Sequence, residues 1–199
     1  MSEGTETLIH AARAAAGFTL VELLVVLLLG AILVGLGVPA MQNMIAANQL
    51  NAMADGFASA LNSARSEAGK LGANVILTAT PAGVDWGAGW TMTVTTVDPI
   101  TGNLITSTLR TGAPVPAPYT FKSGPTFAGS PGISFDPTGR LTGAAGPDGF
   151  ILCQGGGPAA GGASRLIAVA VSGRVRIAQN NASGVPIGDT GVVGGCTLP

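Results

Sequence analysis

The spacing of apolar residues divides the chain into three stretches. An almost purely apolar run covers Leu20–Val38. A helix rises ~1.5 Å per residue, so a run of this length spans a bilayer core of ~30 Å. In the second stretch, apolar residues recur at steps of three and four, which predicts an amphipathic helix with one buried face. The members of that stripe are Leu50, Met53, Phe57, Leu61, Ala64, Ala68 and Leu71.

The first two stretches together predict one long helix from about Phe18 to Leu71. Pro39 lies inside it, and we expect a kink or a local loosening there, because proline lacks an N–H and clashes with the preceding turn. Gly72 directly follows the apolar stripe and suits a C-terminal cap. We expect the amphipathic half to pack on a sheet.

The third stretch begins after Gly72, where the apolar period changes to two. Gly, Pro, Asp and Asn turns separate the apolar segments, as expected for strands. Pro114, Pro116 and Pro118 predict an extended loop before Tyr119. The predicted strands cover residues 75–78, 90–95, 104–109, 133–135, 150–152, 166–171 and 174–177. The predicted fold class is therefore α+β, with a helix followed by an antiparallel sheet system.

The flanks of the apolar run differ from those of a secretory signal peptide. Such a peptide has its basic residues directly before the apolar stretch and its cleavage site after it. Here a polar stretch with Arg13 comes first, and Glu22 is the one ionisable group inside the run. A charged residue at the centre of a spanning helix costs about 2.5–3.5 kcal/mol on insertion scales, so Glu22 is a candidate functional residue. The alternative is a plain membrane anchor with an incidental glutamate.

The segment GFTLVE, residues 17–22, resembles the type III signal of type IV pilins and type II secretion pseudopilins. The resemblance implies that an inner-membrane prepilin peptidase cuts between Gly17 and Phe18 and methylates the new amino terminus. Glu22 then becomes the fifth residue of the mature chain. The implied organisation is a cleaved leader (1–17), a transmembrane and assembly helix (18–39) and a periplasmic domain (40–199) comprising an amphipathic helix (40–71) and a β-rich part (73–199).

The same resemblance implies how the subunits assemble. Cleavage creates a cationic amine at Phe18, and Glu22 lies one helical turn further on. In a filament, the glutamate of one subunit neutralises the Phe18 amine of its neighbour, which offsets the burial of both charges. The implied partners are the prepilin peptidase, the inner membrane and other pilin or pseudopilin subunits. The implied location is the bacterial inner membrane with a single span, a periplasmic domain, and a pilus or pseudopilus after assembly.

Four segments of the β-rich part resemble the FimT/GspH family of minor pilins and pseudopilins. They are Gly89-Trp90 at a strand start, ISFDPTGR at 133–140, FILC at 150–153 and SGRVR at 172–176. The resemblance implies a pilin-like fold. GspH-type members act in the short periplasmic filament of type II secretion. FimT-type members are minor type IV pilins, and some bind DNA in natural transformation through a Gly-Arg-x-Arg motif.

Gly173, Arg174 and Arg176 match that motif at every fixed position. In a strand, the two arginines point to one face at a separation of ~6.6–6.8 Å, which approximates the spacing of adjacent phosphates. Guanidinium groups bind phosphate bidentately, and a glycine permits a close backbone approach. We therefore expect a minor pilin that binds extracellular DNA without sequence preference. The alternative is a GspH-like pseudopilin with a structural role in protein export.

The net charge of −1 does not discriminate between a DNA-binding pilin and a structural pseudopilin. From Asn103 onward, however, six basic residues face three acidic ones, a balance of +3. Lys122, Arg140 and Arg165 are candidate extensions of the DNA-binding surface. The competing interpretation is that Arg174 and Arg176 form a solvated strand face, pairing with Asp136 or Asp148. Arg65 and Glu67 lie outside the apolar stripe and are expected to be solvated.

The two cysteines, Cys153 and Cys196, belong to no C-x-x-C pair, and the one histidine, His10, lies in the leader. A zinc site or a thiol-protease site therefore lacks its partners. If the domain is exported, we expect a disulfide that stabilises the fold by about 3–4 kcal/mol. The alternative is two separate buried thiols. We predict no catalytic residues, no metal site and no cofactor, and hence no enzyme.

Overall fold

The computed structural model describes residues 18–81, 85–127, 132–143, 148–157, 162–181, 185–188, 191–192 and 195–196, with the backbone alone at residues 39, 40, 43, 191 and 192. The long helix α1 comprises Leu20–Leu71 and continues through position 39. Gly72 follows it with φ 62°, as expected for a left-handed C-terminal cap. One predicted stripe member is corrected, because Leu71 in the last turn is 44% exposed.

The chain divides into two compact units, Met1–Asn43 and Met44–Pro199. In the first unit, Leu20–Val38 has a mean hydropathy of 2.7, and none of it is buried. By length and composition this segment is able to cross a membrane. An apolar helix surface of this kind is stable only when lipid or protein covers it.

The described residues of the second unit form three antiparallel sheets. In the five-stranded sheet the spatial order is β3-β2-β1-β5-β6, and in the four-stranded sheet it is β4-β7-β8-β9. The strands of the first are β1 (Val75–Ala79), β2 (Trp90–Val97), β3 (Leu104–Gly112), β5 (Ile133–Phe135) and β6 (Leu141–Thr142). Those of the second are β4 (Tyr119–Ser123), β7 (Asp148–Gln154), β8 (Ser164–Val169) and β9 (Val175–Ile177). A short pair, β10 (Ile187–Gly188) and β11 (Gly191–Val192), forms the third.

The amphipathic part of α1 forms one hydrophobic core with the two larger sheets. Phe57 lies at its centre and makes edge-to-face contacts with Trp86, Trp90, Phe121 and Phe150. The ring centroids are 4.7 to 5.7 Å apart, which is the favourable range for aromatic pairs. The prediction that the apolar stripe forms a helix–sheet core is confirmed.

A smaller cluster lies on the opposite face of the four-stranded sheet. It contains Ile151, Cys153, Leu166 and Ala178, with Cys196 packed against it. Cys153 faces this side because side chains alternate along β7, and its neighbour Leu152 faces the main core. Cys153 and Cys196 form a disulfide with their Cα atoms 5.9 Å apart. The predicted disulfide is confirmed.

The sheet system differs from the sequence-based expectation at several points, beginning with the short strands β6, β10 and β11, which were not predicted. Strand β4 was not predicted, although its side chains alternate regularly between buried and outward positions. The predicted strands 166–171 and 174–177 are both shorter at the ends that face each other. The reason is a hairpin turn, in which the Gly173 N–H donates to the Ala170 carbonyl at 2.8 Å.

Candidate functional site

The start of α1 carries the predicted processing and assembly residues. The Thr19 hydroxyl accepts a hydrogen bond from the Glu22 N–H at 3.2 Å, so Thr19 is the N-cap of the helix. Glu22 is exposed in the first turn, where its charge interacts favourably with the helix dipole. Phe18 is 81% exposed, and Gly17 lies outside the described residues. Thus Glu22 lies within one turn of the predicted new amino terminus.

The predicted DNA-binding residues lie on the hairpin between β8 and β9. The Ala170 N–H donates to the Arg174 carbonyl at 3.0 Å, and Gly173 adopts φ 77°. A tight turn that ends in a left-handed glycine is a common way to close a hairpin. Arg174 is therefore the last residue of the turn, where it is exposed.

Arg176 lies in β9 on the face that points away from the main core. Its neighbours Val175 and Ile177 pack against that core, while Arg176 is paired in register with Ala168 of β8. Side chains alternate along a strand, so Arg176 shares its face with Ala168. It is less exposed than Arg174.

A second hairpin, between β5 and β6, also contains a left-handed glycine followed by an arginine. The Asp136 carboxylate accepts hydrogen bonds from the Thr138 hydroxyl, the Thr138 N–H and the Arg140 N–H. These bonds, led by that of the Thr138 hydroxyl and assisted by the Arg140 charge, lower the pKa of Asp136. Gly139 adopts φ 79°, and the exposed Arg140 follows it. Each hairpin therefore presents a left-handed glycine followed by an exposed arginine.

The two hairpins touch each other and α1. The Leu141 N–H donates to the Val171 carbonyl at 3.0 Å. A β-carbon added at Gly173 would collide with the Gly139 carbonyl oxygen. That same oxygen accepts a hydrogen bond from Arg65 Nε at 2.9 Å. Arg65 is exposed, as expected, and its hydrogen bond in addition joins α1 to the β5–β6 hairpin.

The three predicted extensions of the site lie in different places. Arg140 belongs to the paired hairpins. Arg165 instead donates to the Asn51 side chain of α1 at 2.6 Å and to the Ser164 carbonyl at 2.9 Å. Lys122 lies on β4, three strand spacings or ~14 Å from β9 across the sheet. Only Arg140 therefore lies beside the Gly173–Arg174 turn.

The expected partners of Arg174 are engaged elsewhere. The Asp136 carboxylate accepts hydrogen bonds from Thr138 and from the Arg140 N–H within its own turn. The Asp148 carboxylate accepts hydrogen bonds from the backbone N–H groups of Thr126 and Gly149, both at 2.7 Å. Lys70 and Glu67 form an ion pair, which lies on α1.

Sequence comparison assigns the end of α1 and most of the β-rich part to a family. The family described as type II transport protein GspH matches residues 53–173, more than half of the chain. This chain belongs to the GspH family. A second match, to the prokaryotic N-terminal methylation motif, covers residues 12–38 and so includes Gly17, Phe18 and Glu22. The GspH match ends at Gly173, directly before Arg174.

Solved structures show the same fold. Two crystal structures of the type IV minor pilin FimU from Pseudomonas aeruginosa strain PAO1 are similar to this GspH-family chain. One has a TM-score of 0.53 and 23% identity, covering 75% of this chain and 96% of FimU. The other has a TM-score of 0.51 and 22% identity, covering 74% and 99%. The comparison with curated proteins gave no match.

These findings place the protein among minor pilins and pseudopilins. The methylation motif implies processing by a prepilin peptidase, and the family implies assembly with other pilin subunits. The apolar segment Leu20–Val38 is consistent with a membrane-anchored pilin. The predicted resemblance and the pilin-like fold are confirmed.

Proposed function

We propose that this GspH-family protein is a minor type IV pilin that binds extracellular DNA for uptake in natural transformation. It is processed between Gly17 and Phe18, and Glu22 directs its entry into the pilus. Its globular domain then lies in the periplasm or on the pilus. Arg174 and Arg176 make the primary contacts with DNA. The observation that carries this proposal is the exposed Arg174 at the end of a tight turn that has a left-handed glycine.

The geometry of the hairpin suits a phosphate backbone. Gly173 is left-handed and packs against the Gly139 carbonyl, so the turn is tight and presents the exposed Arg174 to a phosphate. Arg176 follows two residues later on the outward face of β9. Contacts of this kind recognise charge rather than base sequence, and their affinity falls steeply as salt rises.

A second candidate function is that of a structural pseudopilin in type II secretion. It is favoured by the family match, which is to a type II transport protein and ends before Arg174. In that function, the paired hairpins would contact other minor subunits of the secretion filament. The two candidates therefore differ in what Arg174 and Arg176 bind.

DNA binding by the full chain in uncharged detergent micelles tests the proposal. The affinity for a labelled duplex is measured by fluorescence anisotropy across a salt series. We expect the Arg174→Ala/Arg176→Ala double variant to lose most of its affinity. Its plot of log affinity against log salt should be shallower by about 2, because each lost phosphate contact removes about 0.9 from the slope.

Arg110→Ala is a control that also removes an exposed arginine. Arg110 lies on β3, the far edge of the five-stranded sheet from β6, with its guanidinium 5.8 Å from the centre of the Trp90 ring. We expect Arg110→Ala to bind DNA nearly as the wild type does. If the folded wild type binds no DNA at low salt, or if the double variant binds like Arg110→Ala, the DNA proposal is wrong. The secretion alternative then becomes the better one.

A further inference from the structure

Arg65 lies between the two glycines that precede the exposed arginines. Its Nε is 2.9 Å from the Gly139 carbonyl oxygen, and a β-carbon added at Gly173 would lie 3.3 Å from the same nitrogen. Arg140 and Arg174 are each bonded directly to one of these glycines, with Cα atoms about 3.8 Å apart. The Arg65 side chain and the backbones of Arg140 and Arg174 therefore lie close to the point where the hairpins meet.

Most of the hydrogen-bonding capacity of Arg65 is unused. A guanidinium has five N–H donors, and the Gly139 carbonyl takes the one on Nε. Among the residues that the structure describes, Arg65 has no further hydrogen-bond or ion-pair partner. The bond at Nε fixes the side chain, and the two terminal nitrogens keep four donors for a ligand. A planar set of donors of this kind matches the oxygens of a phosphate.

The local charge also favours an anion. Arg65, Arg140 and Arg174 contribute three positive charges, and Asp136 contributes one negative charge, so the balance is +2. The Asp136 carboxylate is held by Thr138 and by the backbone of its own turn. Glu67, two residues further along the helix, is paired with Lys70 at 2.7 Å. The positive charge is therefore not cancelled by either neighbouring acid.

A shallow groove of about 360 Å³ lies beside Arg65. It runs between α1 and the β5–β6 hairpin, and it is lined by Arg65 together with the polar side chains of Asn62, Ser66 and Thr138. Hydroxyl and amide groups donate hydrogen bonds to phosphate oxygens. The groove therefore extends the arginine cluster with groups that suit a phosphate-bearing chain.

We propose that Arg65, Arg140 and Arg174 form one phosphate-binding site, in which Arg65 contacts the ligand directly and positions the other two. This deepens the DNA-binding proposal and rests on it for the natural ligand. The shared chemistry is a chain of phosphates, which occurs in DNA and in free inorganic polyphosphate. The proposed site thus includes two residues outside the Gly-Arg-x-Arg motif, Arg140 and Arg65, and Arg65 lies on α1.

The test uses the full chain in uncharged micelles with two probes, inorganic tripolyphosphate and duplex DNA. Arg65→Gln removes the charge and keeps an amide donor for the Gly139 carbonyl, whereas Arg65→Lys keeps the charge. We expect Arg65→Gln to weaken binding of both probes by roughly tenfold, as for one lost charge-assisted contact. Its salt slope should fall by about 1. Arg65→Lys should recover most of the affinity, and Arg110→Ala should change little.

A measurement on the unmodified chain keeps the proposal testable if Arg65→Gln fails to fold. Tripolyphosphate is titrated while the NMR signals of the Arg65 and Arg110 Nε–H groups are followed. We expect the Arg65 signal to shift together with the backbone amides of Gly139 and Gly173. The Arg110 signal should stay in place.

The outcomes separate this proposal from the DNA function. If tripolyphosphate binds and depends on Arg65 while DNA does not bind, the phosphate site stands and the DNA function is wrong. If DNA binding needs Arg174 and Arg176 but is unchanged in a folded Arg65→Gln variant, Arg65 is not part of the site and the DNA function stands. If tripolyphosphate causes no shift at Arg65, the three-arginine site is overturned.

Discussion

The two parts of α1 both carry apolar side chains, but these are arranged differently and are covered in opposite ways. Between Leu50 and Ala68, the apolar side chains form a stripe, and most of them are fully buried against the sheets of the same chain. In Leu20–Val38, apolar side chains surround the helix, and none of the segment is buried. A striped helix is covered by its own domain, whereas an apolar surface all round the helix is covered by something outside the chain.

Because of this difference, substitutions in the apolar stripe are expected to change the stability of the domain, whereas substitutions in Leu20–Val38 are expected to change assembly. Burying one large apolar side chain contributes about 1.5–3 kcal/mol, so changes in the stripe alter the stability of the domain. The same change in Leu20–Val38 acts only on contacts with lipid or with other subunits. Glu22 is the one ionisable residue in that segment, so its substitution tests this separation most strongly.

Glu22→Leu should have the largest effect. We expect its incorporation into filaments to fall by more than a hundredfold, because an unpaired buried charge costs about 3–5 kcal/mol. The thermal unfolding of the domain should not change. The measurement is the ratio of the protein in sheared filaments to that in membranes. Glu67→Gln, on the domain half of the same helix, is the control and should assemble normally. Wild-type incorporation of Glu22→Leu would contradict the assembly role.

Phe57→Ala should lower the free energy of unfolding by about 3–5 kcal/mol, because it removes the ring at the centre of the aromatic cluster. Its counterpart Leu28→Ala, in the exposed half, should change that free energy by less than about 0.5 kcal/mol. Denaturant unfolding of the two full-length variants in micelles measures both values. Equal losses would show that the two halves do not differ as described.

Cys153→Ser/Cys196→Ser should destabilise the domain by about 3–4 kcal/mol, because the disulfide closes a loop between residues 43 positions apart. Adding a reductant to the wild type should have a similar effect, which controls for the substitutions themselves. Non-reducing mass spectrometry of the exported chain supplies the direct check. Two free thiols there would mean that the pair does not form in the cell.

Gly173→Ala should have the smallest effect of the four, a loss of about 2–3 kcal/mol. The added methyl group strains a left-handed residue and meets the Gly139 carbonyl. Gly102→Ala is a matched control, because Gly102 has φ 71° and open space around it. It should lose only about 1–2 kcal/mol, the cost of the backbone conformation. The difference between the two melting curves isolates the contact between the hairpins, and no difference would argue against that contact.

Regular periodicity explains why much of the fold was predictable. The step of three and four predicted the end of α1 at Leu71 with a glycine cap, and the step of two predicted most strands of the two larger sheets. Strand β4 was not predicted because the three prolines before Tyr119 favour an extended loop. Its side chains nevertheless point inward at alternate positions, at Tyr119, Phe121 and Ser123. The stripe was extended one residue too far, since Leu71 is exposed in the last turn.

The candidate site was predictable only in part. The Gly-Arg-x-Arg pattern located one hairpin, because its residues are adjacent in the sequence. Arg65 and Gly139 are 74 positions apart, so no local pattern connects them. The same holds for the contact between Gly139 and Gly173, which depends on how two separate sheets meet. Long-range contacts of this kind required the structure.

We interpret the exposed apolar helix as the N-terminal segment of a processed pilin subunit. Mass spectrometry of the N-terminal peptide from the protein in bacterial membranes tests it most directly. We expect a chain that begins at Phe18 and carries a methyl group on its α-amine. A chain that keeps residues 1–17, or that is cleaved C-terminal to Val38, would contradict this interpretation.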